Sequence, residues 1–171
     1  MILVNAGHGG KDCGAVGKNG LYESHANLNI AKFVQRYLGD KGIDSVIYQQ
    51  KNSLNEVINI ENQTDFEIGV SIHCNAASNR DANGVEVLYY PTSKKGKELA
   101  QCIQDELVNR TGLRSRGIKA RSDLGFLRRT KSPCVIVECA FISNEKEEQL
   151  LKDEYRMFAS GIVRGIVKWR K

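Results

Sequence analysis

No two cysteines of this 171-residue chain form a C-x-x-C pair, and the five present, Cys13, Cys74, Cys102, Cys134 and Cys139, are an odd set. This argues against a disulfide framework and against a cysteine-built zinc knuckle, and it implies reduced thiols and synthesis in a cytoplasm. No apolar run approaches the roughly 20 residues that span a bilayer, so no membrane insertion is expected. The opening MILVNAGHGG enters a strand-like run directly, without the basic head, apolar stretch and small-residue cleavage site of an export signal. Internal repeats, low-complexity segments and linkers are absent too. The length suits one domain, residues 1–171, whose core needs no covalent staple. There is no G-x-S-x-G elbow to make the Gly-His-Gly-Gly run an oxyanion loop, and no Lys and Ser/Thr ending to make it a phosphate-binding loop. Acidic residues are in the minority: 25 Lys and Arg against 20 Asp and Glu leave a charge of +5. That favours encounter with an anionic polymer without choosing between wall, membrane surface and nucleic acid.

What is present is a set of apolar runs that stop at residues able to ligate metal. In Glu67 to Ala77, EIGVSIHCNAA, the residues Ile68, Val70 and Ile72 alternate with Glu67, Gly69 and Ser71, and the alternation ends at His73. Ile2 to Val4 leads in the same way to His8, and Cys134 to Val137 leads to Glu138. Between the runs lie helical patterns: Tyr22 to Leu38, Ser53 to Asn62, Ser93 to about Arg110, a helix capped by Asn144, and a final stripe of Tyr155, Phe158, Ile162, Ile166 and Trp169. Ile43 to Tyr48 and Gly84 to Tyr90 read as further strands, and one short strand is expected near Gly125 to Leu127 within the basic stretch Leu113 to Pro133. The pattern predicts a single α/β domain with a mostly parallel, twisted sheet of about six strands, helices on both faces, and one or two antiparallel strands around Gly84 to Tyr90.

In such a sheet the crevice outside the carboxyl ends of the strands is where ligands bind, so His8, His73 and Glu138 can converge. Glu23, in the first turn of the first helix, is placed there by the helix dipole as well as by any ligand role. His8, Glu23 and His73 supply the three His and Glu ligands that zinc takes in hydrolases, one ion with a position left for water. Bound zinc lowers the pKa of that water from about 15.7 towards about 7, and Glu138 is the general acid/base that takes a proton and later returns one to a leaving amine. Only three histidines exist, and the third, His25, lies two residues beyond Glu23 on the helix, about 200° around it, which puts it on the surface. Cys74 and Cys139 follow His73 and Glu138 and must face the other side of the sheet, which makes a cysteine nucleophile a poor reading.

The segments NAGHGGKDCGA with Glu23 downstream, VSIHCNA followed by NGVEVLYY, and LRRTKSPCVIVECAFISN resemble the zinc-dependent N-acetylmuramoyl-L-alanine amidases, which cut bacterial peptidoglycan. The resemblance covers nearly the whole chain, with its motifs in the family's order. It implies that His8, Glu23 and His73 hold the metal, that Glu138 is the catalytic acid/base, and that the bond cut joins the lactyl group of N-acetylmuramic acid to L-alanine. Asn5 and Glu67 stand where the family has Asp, and Cys74 where it has Ala. The implied partner is peptidoglycan rather than nucleic acid, with Asn75, Arg128 and Arg129 as candidate substrate-binding residues. A substrate outside the membrane and a chain without a signal suggest a phage endolysin that reaches the wall after release. Such enzymes often carry a wall-binding domain after the catalytic one, and oligomeric state is left open. Two other readings use the same residues. A zinc peptidase cutting within the stem peptide would need the same ligand set, and a wall-binding module without activity would not need Glu138.

Overall fold

The computed structural model describes residues 1–51 and 53–171. Its elements in chain order are β1 (Ile2–Ala6), α1 (Glu23–Gly39), β2 (Ser45–Gln49), α2 (Leu54–Gln63), β3 (Ile68–Asn75), β4 (Val85–Tyr89), α3 (Lys94–Thr111), β5 (Ser115–Ala120), α4 (Gly125–Arg129), β6 (Cys134–Phe141), α5 (Glu145–Asp153) and α6 (Tyr155–Trp169). The strands form one sheet in the order β2-β1-β3-β6-β4-β5. β2, β1, β3 and β6 are mutually parallel, β4 runs antiparallel to β6, and β5 follows β4.

This order fixes where a site can form. From β1 the chain passes through α1 to β2 on one side, then returns through α2 to β3 on the other side of β1. Right-handed crossovers in opposite directions place the two helices on opposite faces, and they part at the carboxyl ends of β1 and β3. Successive strand residues point to opposite faces, so each strand serves two layers. Ile2, Val4, Ile68, Val70, Ile72, Val135 and Val137 meet α1, α3 and α6 in the larger core. Leu3, Leu88, Cys134 and Ile136 meet Val57 of α2 and Phe126 and Leu127 of α4 in the smaller one. The smaller layer covers only part of its face. Beyond it the same face carries Asn5, Ser71, His73, Glu138 and Glu86, a polar row set by the register in which Asn5 and Ser71 are buried.

The basic stretch differs from its sequence reading in two places. Gly125 to Leu127 is not a strand but the start of α4, a helix of 5 residues too short to show a period. Phe126 and Leu127 are both buried there, and the Leu124 carbonyl accepts from the Leu127 and Arg128 amides. The strand lies earlier, at Ser115–Ala120, where Arg and Lys on a sheet edge hide the alternation. Charges on an edge strand keep other chains from pairing with it.

Buried glutamates tie the loops down. Glu148 of α5 is 1% exposed and accepts from the Asn19 amide at 2.9 and 3.0 Å, from Asn19 Nδ2 at 3.2 Å and from the Leu21 amide at 3.2 Å. It thereby holds the loop that leads into Glu23. Glu148→Ala is expected to cost about 2 kcal/mol in denaturant unfolding, since partnered N–H groups lose a charged acceptor. Hydrogen exchange over residues 17–21 should accelerate with it.

Candidate active site

His8 follows β1 in a tight turn in which Gly9 and Asp12 exchange backbone hydrogen bonds at 2.7 and 3.0 Å. Its φ of 61° is the one left-handed value on a non-glycine residue among those described. Such strain persists only where neighbours enforce it, and it is common at functional positions. The Asp12 carboxylate meets His8 Nδ1 at 2.8 Å, which leaves Nε2 facing inward, 3.4 Å from Glu23 Oε1.

Glu23 opens α1, and the loop before it supplies the helix cap in place of a side chain. The Glu23 and Ser24 amides donate to the carbonyls of Ala15 and Cys13, and the Ala15 amide returns a bond to Glu23 Oε2 at 2.9 Å. Glu23 Oε1 accepts from the Cys74 amide at the end of β3, 3.1 Å away, and lies 3.1 Å from His73 Nδ1. One carboxylate therefore joins the first loop, the first helix and the third strand. Asn27, one turn further along α1 and fully buried, donates to the Gly7 carbonyl at 3.0 Å and accepts from Cys74 Sγ at 3.3 Å.

The ligand atoms of His8, Glu23 and His73 all lie within 4.8 Å of one another. Burial opposes the charge on Glu23, but the hydrogen bonds to His73 and His8 outweigh it and hold the carboxyl well below the usual range. The bond to Glu23, ahead of the opposing effect of burial and the further bond to Asp12, raises His8 to about 9. This triplet attracts positive charge, and its donor types suit Zn2+.

Gly7 makes room for His73: a Cβ at this position would overlap the imidazole ring. Gly7→Ala is therefore expected to displace His73 and lower metal affinity by about 10- to 100-fold, the scale of losing a ligand's support. Metal titration against a competing chelator would measure it.

Glu138 stands beside His73 in the parallel pairing of β3 with β6. Its Oε2 is shielded from solvent and has no hydrogen-bond partner among the described residues. Burial above all, with Glu23 and Glu86 adding to it, pushes this carboxyl up to about 7 against the pull of His73 and His8. After His73 the register slips, and Asn75 pairs with Phe141.

The remaining candidates divide. Asn75 reaches Glu86 rather than an open position, with Nδ2 2.9 Å from Glu86 Oε1. Arg128 and Arg129 are exposed on α4; Arg129 Nη1 donates to Asn55 of α2 at 2.8 Å, and neither arginine touches the triplet among the described residues. His25 is exposed, and Cys74 and Cys139 are buried in the larger core. Asn5, where the resembling family has Asp, is fully buried and donates to Ser71 Oγ at 2.7 Å, and among the described residues its Oδ1 has no partner. Sequence reasoning passed over Asp12, Asn27 and Glu86, and it reads Arg116 only as part of the solvated basic segment Arg114 to Arg121. The spacing of four from His8 to Asp12 and from Glu23 to Asn27 was the available signal for the first two.

Two clustered imidazoles and a carboxylate that could hold a metal ion, with a second, shielded carboxylate beside them, lie at the carboxyl ends of the parallel strands. The chain belongs to the N-acetylmuramoyl-L-alanine amidase family, whose model matches residues 2–168. It is 36% identical over 156 residues to N-acetylmuramoyl-L-alanine amidase LytC of Bacillus subtilis, an alignment that covers 88% of this chain and 31% of LytC. An N-acetylmuramoyl-L-alanine amidase from Clostridium difficile 630 superposes with a TM-score of 0.93 at 32% identity, over 99% of this chain and 95% of that one. The catalytic domain of the CD27L endolysin superposes with a TM-score of 0.85 at 25% identity, over 98% and 97% of the two chains. No helix among the described residues is long and apolar enough to cross a membrane.

Proposed function

We propose that this chain hydrolyses the amide between the lactyl group of N-acetylmuramic acid and the L-alanine of the peptidoglycan stem peptide, as a zinc-dependent catalytic domain. The observation that carries the reading is the shielded, unpartnered Oε2 of Glu138 beside the triplet of His8, Glu23 and His73. A buried carboxylate with no partner is costly to keep, and its chemical use is to accept a proton and then release it. His8, Glu23 and His73 would hold the Zn2+, which when bound supplies a Lewis acid for the amide carbonyl and lowers the pKa of water. Asp12 fixes the tautomer of His8 so that Nε2 serves the site, as outer partners of metal-binding histidines do. Glu138 Oε2 takes the proton from the attacking water and delivers it to the nitrogen of the departing L-alanine. A carboxyl poised near 7 can do both.

The likeness to the CD27L catalytic domain supports an endolysin role, in which the enzyme acts on the wall after release. The test is a digest of purified cell wall in the presence of Zn2+. New N-terminal L-alanine without new sugar reducing ends is the expected product. Another new N-terminal residue would indicate a peptidase, and no new ends would indicate a binding module.

A further inference from the structure

Beyond Glu138, the same face of the sheet carries a second set of charges that neither joins the triplet nor transfers the proton. Glu86 of β4 stands opposite Glu138 in the antiparallel pair. Its two oxygens go to different strands: Oε1 accepts from Asn75 of β3 at 2.9 Å, and Oε2 accepts from Arg116 Nε of β5 at 3.0 Å. A carboxylate and a guanidinium can meet through two parallel bonds. Here Asn75 has taken one oxygen, so Arg116 is held through Nε alone. Its face lies 4.8 Å from the centre of the Phe141 ring, and Nη1 makes one long contact of 3.4 Å with the Asn83 carbonyl. Among the described residues Nη2 has no partner, on a side chain only 33% exposed. Arginine has five donors and no acceptor, and its planar fork fits a carboxylate.

The position is within reach of a peptide chain that leads away from the site. β5 lies two strands beyond β6, about 10 Å at the usual strand spacing. An extended peptide covers that distance in about three residues. The glycan next to the scissile amide is uncharged over such a span, whereas the stem peptide is acidic. The geometry points to Arg116 as the anchor for a carboxylate within the first three residues of the peptide that leaves, a subsite pre-set by Glu86, Asn75 and Phe141. The choice of peptide rests on the amidase reading; the subsite itself rests on Arg116.

The test is calorimetric binding to the zinc-loaded protein of two C-terminally amidated, γ-linked tripeptides, L-Ala-D-Glu-L-Lys with its α-carboxylate free and the same peptide with an α-amide. The wild type is expected to bind the free acid about 10- to 100-fold more tightly, the range of a charged hydrogen bond. Arg116→Met brings the ratio of the two affinities to about one. Arg116→Lys keeps the charge without the fork and gives an intermediate ratio. Equal binding of both peptides by the wild type, or a ratio that survives Arg116→Met, overturns the subsite. If Arg116→Met loses its cooperative melting transition, Arg116→Lys decides, and an unchanged ratio there overturns it as well. A wall digest without new N-terminal L-alanine would overturn the amidase reading separately, because the affinity ratio is read without turnover.

Discussion

Replacing Glu138 by alanine or glutamine is expected to lower the rate of L-alanine release from cell wall by about 10²- to 10⁴-fold, the contribution of a positioned acid/base. Metal content and cooperative unfolding should stay at wild-type values. The separation of effects follows from the structure. Glu138 lies next to the triplet but is not among its three members, and among the described residues no hydrogen bond depends on its Oε2. Glutamine keeps the volume and removes the proton acceptor, so it isolates the chemical role from packing. The stability test has a sign. A carboxyl whose folded pKa is raised from 4.5 to about 7 binds more protons folded than unfolded between those values. Its ionised form therefore costs stability as pH rises through that window, and the cost is in full force above the folded pKa. In chelated protein at pH 8, Glu138→Gln should unfold at the same denaturant concentration as the wild type or a higher one. A variant that lost both stability and metal would show that Glu138 is structural.

The residues of this centre were legible in the sequence to different depths, for physical reasons. His73 and Glu138 follow buried apolar runs, and the first ionisable residue after such a run marks the site even though β3 continues to Asn75 and β6 to Phe141. His8 and Glu23 follow from the glycine-rich loop between β1 and α1. The support around them left weaker traces. Asn27 lies on the buried side of α1, where a single polar residue reads as an interruption of the apolar stripe, and besides Glu23 one turn back its partners come from the close approach of Gly7 and Cys74. Glu86 reads as the solvent-facing residue of an alternating strand. Its placement opposite Glu138 requires β4 to run against β6, a pairing that no local pattern specifies. Arg116 sat in a stretch whose strand was masked by cations on a sheet edge. The same cations hide β5, and the short helix after it has a strand-like sequence because five residues are too few for a period; burial of Phe126 and Leu127 against α2 decides the conformation. The parallel sheet with helices on both faces was legible because its signal is repeated along the whole chain.

His73→Ala should abolish both metal binding and turnover, and the order in which they fail tests the centre as a unit. His73 Nδ1 and His8 Nε2 flank the same oxygen, Glu23 Oε1, at 3.1 and 3.4 Å. Removing one imidazole leaves two protein donors where a zinc site of this type uses three. The wild type is expected to retain about one Zn2+ per chain through gel filtration by metal analysis, and His73→Ala to retain almost none. The fold should survive, because the β3 strand is held by Ile68, Val70 and Ile72 in the larger core and the Cys74 amide still donates to Glu23. The variant frees space above Gly7, and buried carboxylate charge on Glu23 loses one of its two stabilising imidazoles, so a modest fall in stability near neutral pH is expected. That fall runs in the direction of linkage: a carboxylate held below its unfolded pKa stabilises the fold above that pKa, and weakening its partner reduces the benefit there. If His73→Ala kept its zinc, the ligand set would have to be redrawn around other donors. If it lost the metal but kept turnover, hydrolysis would not depend on the metal, and Glu138 would have to act on water alone.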